Sequence, residues 1–184
     1  MLEDKQRWNE RYQENPMPEN VSAVLEKYID KVNIGQALDV ACGMGRNTHF
    51  LASKGFDIDA VDISDYALDK VKNSPTINKI EVDLDKYNIS ANKYDLILNT
   101  NYLNRRLLSQ MKEGLKQGGV VIFETFIVAH GDFKLPTMNL DYLLRKNELL
   151  HSFIGLDVIY YEERIDTNLR GERIKVASIV AQKN

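Results

Sequence analysis

The stretch "LDVACGMGRN", residues 38–47, decides the fold, because an apolar run carrying an acid gives way there to two glycines one residue apart. Polar residues that can open a helix follow directly. Glycine adopts positive φ and has no Cβ, so the chain can turn tightly at Gly43 and Gly45 while a ligand approaches the main chain. The stretch therefore predicts a buried strand, a binding turn and the start of a helix, whose free N–H groups and positive dipole end would point at the ligand.

Strands and helices alternate along the chain beyond this turn. Apolar runs predict strands at 36–41, 57–63, 79–84, 94–99 and 120–126. Helical spacing predicts helices at 46–54, 64–73 and 102–117, the last ended by Gly118 and Gly119. Strands separated by helices form a parallel sheet through right-handed crossovers, and burial on both faces explains why the strands are uniformly apolar.

The two ends of the chain differ from this middle part. Residues 1–34 are predicted to be helical, with Gly35 as a stop signal. After a short helix at 147–153, strands at 156–164 and 173–183 follow without a helix between them, which predicts an antiparallel hairpin at the sheet edge. The predicted fold is α/β and doubly wound, with a mostly parallel seven-stranded sheet and an antiparallel C-terminal hairpin strand. Residues 1–184 are expected to form a single domain, with a core over 36–183.

Composition limits the classes of partner. The net charge of −3 leaves no basic excess for tracking a phosphate backbone, which argues against nucleic acid as a partner. The chain has one cysteine and three scattered histidines, so we expect no disulfide and no metal site. The charged start and the short apolar stretches predict a cytoplasmic protein with no membrane contact.

Two classes of ligand use a glycine turn at the end of the first strand. Dinucleotides require G-x-G-x-x-G, but the sequence here is "GMGRNT", with Thr48 at the third glycine position. The other class is S-adenosylmethionine, whose carboxylate and ammonium are held by backbone groups, an acid and water. The sequence departs from the dinucleotide pattern at this position.

The stretch "LDVACGMGRNTHFLASKGFDIDAVDIS" resembles the first signature of class I S-adenosylmethionine-dependent methyltransferases, with a second acid, Asp62, at the end of the second strand. The likeness extends through 82–84, 94–99, 115–126 and the terminal hairpin. The opening "RWNERYQ" resembles small members related to tellurite-resistance methyltransferases. The resemblance implies a Rossmann-like transferase that uses S-adenosyl-L-methionine as its cofactor.

The resemblance also implies roles for residues around the glycine turn. Asp39 would face the ammonium of the methionine moiety, and Ala41, Gly43 and Gly45 would supply the backbone that contacts it. Asn99, at the end of the fourth strand, would contact the methionine end or help to line the substrate entrance.

Residues at the next two strand ends would hold the nucleoside. Asp62 would accept hydrogen bonds from both ribose hydroxyls, and Ile63 would pack on the adenine face. Asp83 would accept a hydrogen bond from the adenine amino group, and Leu84 would stack nearby.

Trp8 and Tyr12 lie one helical turn apart. They either form an apolar stripe that ties the N-terminal helices to the core, or belong to a lid that closes over the cofactor and excludes water. Both interpretations stay open at this point.

The acceptor side is less defined. Tyr102 and Arg105, just past the fourth strand, are candidates for the acceptor pocket, although Arg105 can equally form a surface ion pair. His130 lies where substrate loops are expected and is the candidate base. Glu124 and Thr125 end the fifth strand, and one of them should face inward.

The sequence therefore predicts methyl transfer to a small-molecule acceptor, with a thiol or chalcogen nucleophile favoured because it ionises without a strong base. The reaction would be an in-line displacement that needs alignment and desolvation. The alternatives are a non-catalytic S-adenosylmethionine-binding module, a methyltransferase that acts on a macromolecule with a partner subunit, and a nicotinamide oxidoreductase. The oligomeric state is left open.

Overall fold

The computed structural model describes residues 2–16, 18–129, 133, 139–168 and 171–184. Its strands are β1 (Gln36–Val40), β2 (Asp57–Asp62), β3 (Ile77–Glu81), β4 (Tyr94–Thr100), β5 (Leu115–Phe126), β6 (Asp157–Thr167) and β7 (Arg173–Gln182). Its α-helices are α1 (Leu2–Glu14), α2 (Ala23–Tyr28), α3 (Arg46–Ser53), α4 (Asp65–Lys70), α5 (Arg105–Gly114) and α6 (Glu148–Ser152). Short 3₁₀ turns occur at Ile29–Lys31 and Leu140–Tyr142.

Within the described residues the strands form one seven-stranded sheet in the order β3-β2-β1-β4-β5-β7-β6. Strands β1 to β5 are parallel, and β7 lies antiparallel between β5 and β6. The predicted α/β fold and its C-terminal hairpin are therefore confirmed. The strand order reverses between β1 and β4, where Val40 pairs with Asn99, and ligands bind at such a switch point in open α/β sheets.

Apolar side chains pack on both faces of the sheet. Leu107 and Met111 of α5 and Leu149 of α6 belong to the core of one face. Leu25 of α2, Leu51 of α3 and Leu68 of α4 belong to the core of the other. This two-sided burial accounts for the uniformly apolar strands. No helix in the described part of the chain combines the length and apolarity that crossing a membrane requires.

The prediction for the third strand was wrong by two to three residues. β3 spans Ile77–Glu81, because it pairs with β2 from Ile58 to Asp62 and ends where that partner ends. The Asp83 carboxylate accepts the N–H of Asp85 at 3.0 Å, which turns the chain. Asp83 and Leu84 therefore lie in the turn after β3 and not in the strand.

The predicted helix at 102–117 is shorter in the structure. The Asn104 side chain accepts the N–H of Arg106 at 3.1 Å and so caps the start of α5. The helix ends at Gly114, where an added Cβ would lie 2.6 Å from Cγ2 of Ile89. The chain then enters β5, so Gly118, with φ of 78°, is part of the strand and does not end the helix.

Candidate active site

The glycine turn after β1 has the predicted left-handed backbone. The φ angles are 54° at Ala41, 55° at Gly43 and 84° at Gly45. A Cβ on Gly45 would lie 2.9 Å from Cγ2 of Val71, so the protein's own packing requires glycine there. Ala41 has a Cβ and adopts this backbone at a cost of about 1–2 kcal/mol, and such strain is concentrated at functional sites.

Asp39 lies beneath this turn, near the carboxyl end of β1. Its side chain is buried, and its Oδ2 accepts the Thr48 hydroxyl at 2.7 Å. Burial raises the pKa of Asp39 to about 7, although the Thr48 bonds act in the opposite direction. Thr48 at the N-terminal turn of α3 thus bonds to a carboxylate of the protein itself, while the prediction that this turn points free N–H groups at a ligand stays a prediction.

Thr48 is a site residue whose role the sequence reasoning missed. The sequence showed only that a threonine replaces the third glycine of the dinucleotide pattern. A hydroxyl two residues into a helix that follows an acid-bearing strand was the available signal, since such a group can donate to that acid.

Asp62 ends β2 and joins two elements of the site. Its Oδ2 accepts the N–H of Gly43 at 2.8 Å, and its Oδ1 accepts the N–H of Ser64 at 2.9 Å. Burial raises the pKa of Asp62, and these backbone bonds oppose the shift. A carboxylate offers about four lone-pair sites, so Asp62 can still accept a ligand hydroxyl beside these backbone bonds. Ile63, the next residue, is half-buried beside it.

The turn after β3 lies next to Asp62. The N–H of Val82 donates to the Asp62 carbonyl at 2.9 Å. Asp83 follows, half-buried, and Leu84 is buried. The structure thus brings the predicted ribose and adenine residues to neighbouring strand ends.

Asn99 occupies the switch point beside Val40. Its Nδ2 donates to the Tyr102 carbonyl at 2.7 Å. Its Oδ1 is buried and has no hydrogen-bond partner among the described residues. A buried acceptor without a donor costs free energy, so this oxygen is suited to accept a hydrogen bond from a ligand.

Helix α1 brings Trp8 and Tyr12 to the same region. Their ring centroids are 5.8 Å apart, and Tyr12 is 9% exposed. Burial, followed by the negative charge of Asp62, raises the pKa of Tyr12. The Tyr12 hydroxyl therefore lies near the carboxylates of the site, as both the stripe and the lid interpretations permit.

The predicted acceptor candidates differ in their surroundings. Tyr102 is half-buried, and burial raises its pKa to about 12, so the hydroxyl is protonated at neutral pH. Arg105 forms an ion pair with Glu148 at 2.5 Å and donates to the Leu143 carbonyl at 2.8 Å. Arg105 thus links α5 to the chain around α6, in agreement with the alternative that it forms a surface ion pair. His130 lies outside the described residues.

Charged side chains also lie on the β5 side of the turn, and the sequence did not predict that they group together. Arg46, the first residue of α3, has a buried Nε without a hydrogen-bond partner in the described chain. Burial lowers the pKa of Arg46, while the charges of Asp39 and Glu124 counteract the shift. Glu124 accepts hydrogen bonds from Arg164 at 2.8 Å and from the Ser178 hydroxyl at 2.5 Å. Arg46 was visible in the sequence beside the glycines, but its neighbours come from distant strands.

Comparison with known proteins identifies the family to which the chain is similar. The family model described as tellurite resistance protein TehB matches residues 1–180. A relative from Haemophilus influenzae, named probable S-adenosyl-L-methionine-dependent methyltransferase TehB, is 26% identical over 186 residues, which cover 89% of this chain. The chain spans only 64% of that relative's length.

Solved structures of similar proteins share the fold. The crystal structure of TehB from Haemophilus influenzae has a TM-score of 0.76 at 22% identity, covering 95% of this chain and 66% of that one. Phosphoethanolamine N-methyltransferase 2 of Haemonchus contortus, solved with S-adenosyl-L-methionine, has a TM-score of 0.68 at 16% identity, covering 88% and 51%. At these identities the likeness shows a Rossmann-like methyltransferase fold. Because the family model covers nearly the whole sequence, the chain belongs to the family of the tellurite resistance protein TehB.

Proposed function

We propose that this protein is an S-adenosylmethionine-dependent methyltransferase that acts on a small-molecule acceptor. The observation that carries the proposal is the pair of buried carboxylates, Asp39 and Asp62, on either side of a left-handed glycine turn at the sheet's switch point. The family and the names of its relatives support the same activity. A single domain, a cytoplasmic location and the absence of membrane and nucleic-acid partners remain parts of this proposal.

The charges at the turn favour a cationic ligand over a pyrophosphate. Asp39 already faces the start of α3 through Thr48, so a phosphate bound there would meet a buried carboxylate. An ammonium or sulfonium group would instead be attracted to Asp39, since opposite charges interact strongly where water is excluded. The unpaired Oδ1 of Asn99 offers a further acceptor. The residues present therefore fit S-adenosylmethionine and do not fit NAD.

Each part of the site would hold one part of the cofactor. Asp39, Asn99 and the backbone of residues 41–45 would hold the methionine end. Asp62 would hold the ribose, while Ile63, Asp83 and Leu84 would hold the adenine. When bound, S-adenosylmethionine would supply a methyl group on a positively charged sulfur: the acceptor would bond to the methyl carbon, and the sulfur would leave as neutral S-adenosylhomocysteine.

The remaining residues would orient the acceptor and exclude water. Trp8 and Tyr12 would cover the turn from α1, since the charge of Asp62 acts on Tyr12, and Arg46 and Glu124 would border it from the side of β5. The protonated Tyr102 hydroxyl can donate a hydrogen bond but does not serve as a base at neutral pH. Such a site suits a thiol or chalcogen acceptor, which ionises readily and requires alignment more than deprotonation.

A turnover assay tests the proposal. The protein is incubated with S-adenosylmethionine and, separately, with a small thiol, selenite with a thiol reductant, or a basic protein such as histone, and S-adenosylhomocysteine is quantified. We expect product with the thiol or the reduced chalcogen. Product with the macromolecule alone would contradict a small acceptor, and binding without turnover across a wide panel would favour the non-catalytic module.

A further inference from the structure

Helix α1 is fastened to the body of the protein by polar side chains at one edge of the site. The Asn9 amide makes two bonds: its Nδ2 donates to Asp65 at 2.7 Å, and its Oδ1 accepts the Ser64 hydroxyl at 2.5 Å. One turn earlier, Lys5 pairs with Asp65 at 2.8 Å and with Glu81 at 2.5 Å. These contacts join α1 to α4 and to the end of β3.

Ser64 connects this attachment to the candidate cofactor residues. Its hydroxyl also accepts the N–H of Ala67 at 3.0 Å, which caps α4, and its own N–H donates to Asp62 at 2.9 Å. The other oxygen of Asp62 accepts the N–H of Gly43 at 2.8 Å. A continuous chain of hydrogen bonds therefore runs from Asn9 on α1, through Ser64 and Asp62, to the glycine turn.

The same attachment positions the aromatic residues of α1. Asn9 and Tyr12 are three residues apart, so they lie on the same side of the helix. Fixing Asn9 on Ser64 thus holds Tyr12 close to Asp62, whose charge acts on the Tyr12 hydroxyl. If the Asn9 contacts are lost, the buried Ser64 hydroxyl has no acceptor on α1. Fewer polar contacts then attach α1 to the body of the protein.

We infer that Asn9 is a positioning residue that latches α1 over the cofactor site and slows cofactor release. The inference rests on the proposed binding of S-adenosylmethionine at Asp62. Asn9 would act on the cofactor through Ser64 and Asp62, to which its hydrogen bonds lead. Release requires α1 to detach, so the strength of the Asn9 contacts sets the fraction of time for which the site is open.

The first test measures the release of S-adenosylhomocysteine. Trp8 is the only tryptophan in the sequence and lies beside Asn9, so its fluorescence can report dissociation in a stopped-flow experiment. Loss of the two hydrogen bonds in Asn9→Ala should raise the dissociation rate about tenfold. The control is Gln6→Ala, which removes a side chain that bonds to Glu10 of the same helix at 2.9 Å. We expect that control to release the ligand at the wild-type rate.

A rescue experiment separates this role from general loss of stability. Asn9→Asp places a carboxylate against Asp65, so like charges should loosen α1 and speed release. Adding Asp65→Asn supplies a new amide donor to the carboxylate at position 9, which still accepts the Ser64 hydroxyl. The double variant should therefore release the ligand more slowly than Asn9→Asp alone. The ligand-free variants should have similar urea midpoints, although their release rates differ.

The outcomes are distinct. Release from Asn9→Ala at the wild-type rate, or a double variant as fast as Asn9→Asp, would overturn the latch while leaving the proposed function intact. A wild-type protein that fails to bind S-adenosylhomocysteine would overturn both.

Discussion

At the scale of single residues, the cofactor role proposed for Asp39 would require an ionised carboxylate that lowers the stability of the ligand-free protein. Burial raises its pKa to about 7, above the ordinary value of about 4. The folded state binds the carboxyl proton of Asp39 more tightly than the unfolded state does. The resulting contribution to the free energy of unfolding is therefore fully present below pH 4. That stability is lost as the pH rises from about 4 to 7, at about 1.4 kcal/mol per pKa unit. A buried ionised Asp39 is therefore costly until a cation pairs with it.

Asp39→Asn should accordingly stabilise the ligand-free protein at high pH while weakening cofactor binding. The amide keeps an acceptor for Thr48 but carries no charge to bury. Urea unfolding should show a gain over wild type of up to a few kcal/mol at pH 8, and the gain should shrink toward pH 4. A gain or loss of equal size at both pH values would contradict the raised pKa.

The residues predicted best are those encoded in a short stretch. The placement of Asp39, Gly43 and Asp62 at two neighbouring strand ends could be predicted from the sequence, and the structure brings them together, while their roles toward a cofactor stay predictions. The roles of Asn9 and Arg46 do not follow from local pattern, because their partners depend on how distant elements pack.

At the scale of elements, the contact between the glycine turn and α4 positions α3. Gly45 immediately precedes α3, and Val71 follows α4, with an added Cβ on Gly45 only 2.9 Å from the valine side chain. The same Cβ would lie 3.3 Å from His49, whose Nε2 accepts the N–H of Lys72 at 2.9 Å. The glycine thus allows two helices to approach each other below the site.

Gly45→Ala should destabilise the protein through both its left-handed backbone and this contact. The backbone alone contributes about 1–2 kcal/mol, and Val71→Ala should relieve the contact but not the backbone strain. Urea unfolding should therefore show that the losses of unfolding free energy in Gly45→Ala and Val71→Ala add up to more than the loss in the double variant. Strictly additive costs would mean that the two side chains do not meet.

Element type was predictable here, but several boundaries were not. β3 ends where its partner β2 ends, and β5 begins early because Leu115 pairs with Tyr94. Hydrophobic periodicity indicates which face of a segment is buried, whereas pairing with a strand far along the chain decides where the segment starts and stops.

At the scale of the whole molecule, alternating strands and helices were enough to predict the sheet and its switch point. The side of the site opposite the nucleoside residues was not predictable, because Glu124, Arg164 and Ser178 meet only through the register of the terminal hairpin. The docking of α1 was equally beyond the sequence, since Asn9 and Ser64 are 55 positions apart.

The acid-flanked glycine turn is proposed to bind the adenosyl and amino-acid groups shared by S-adenosylmethionine and S-adenosylhomocysteine, and to reject a dinucleotide. The most direct test of this central claim is calorimetric titration of the wild-type protein with S-adenosylhomocysteine and, separately, with NAD. We predict saturable binding of S-adenosylhomocysteine with one site per chain and no binding of NAD. Saturable binding of NAD, or no heat with S-adenosylhomocysteine, would contradict the claim.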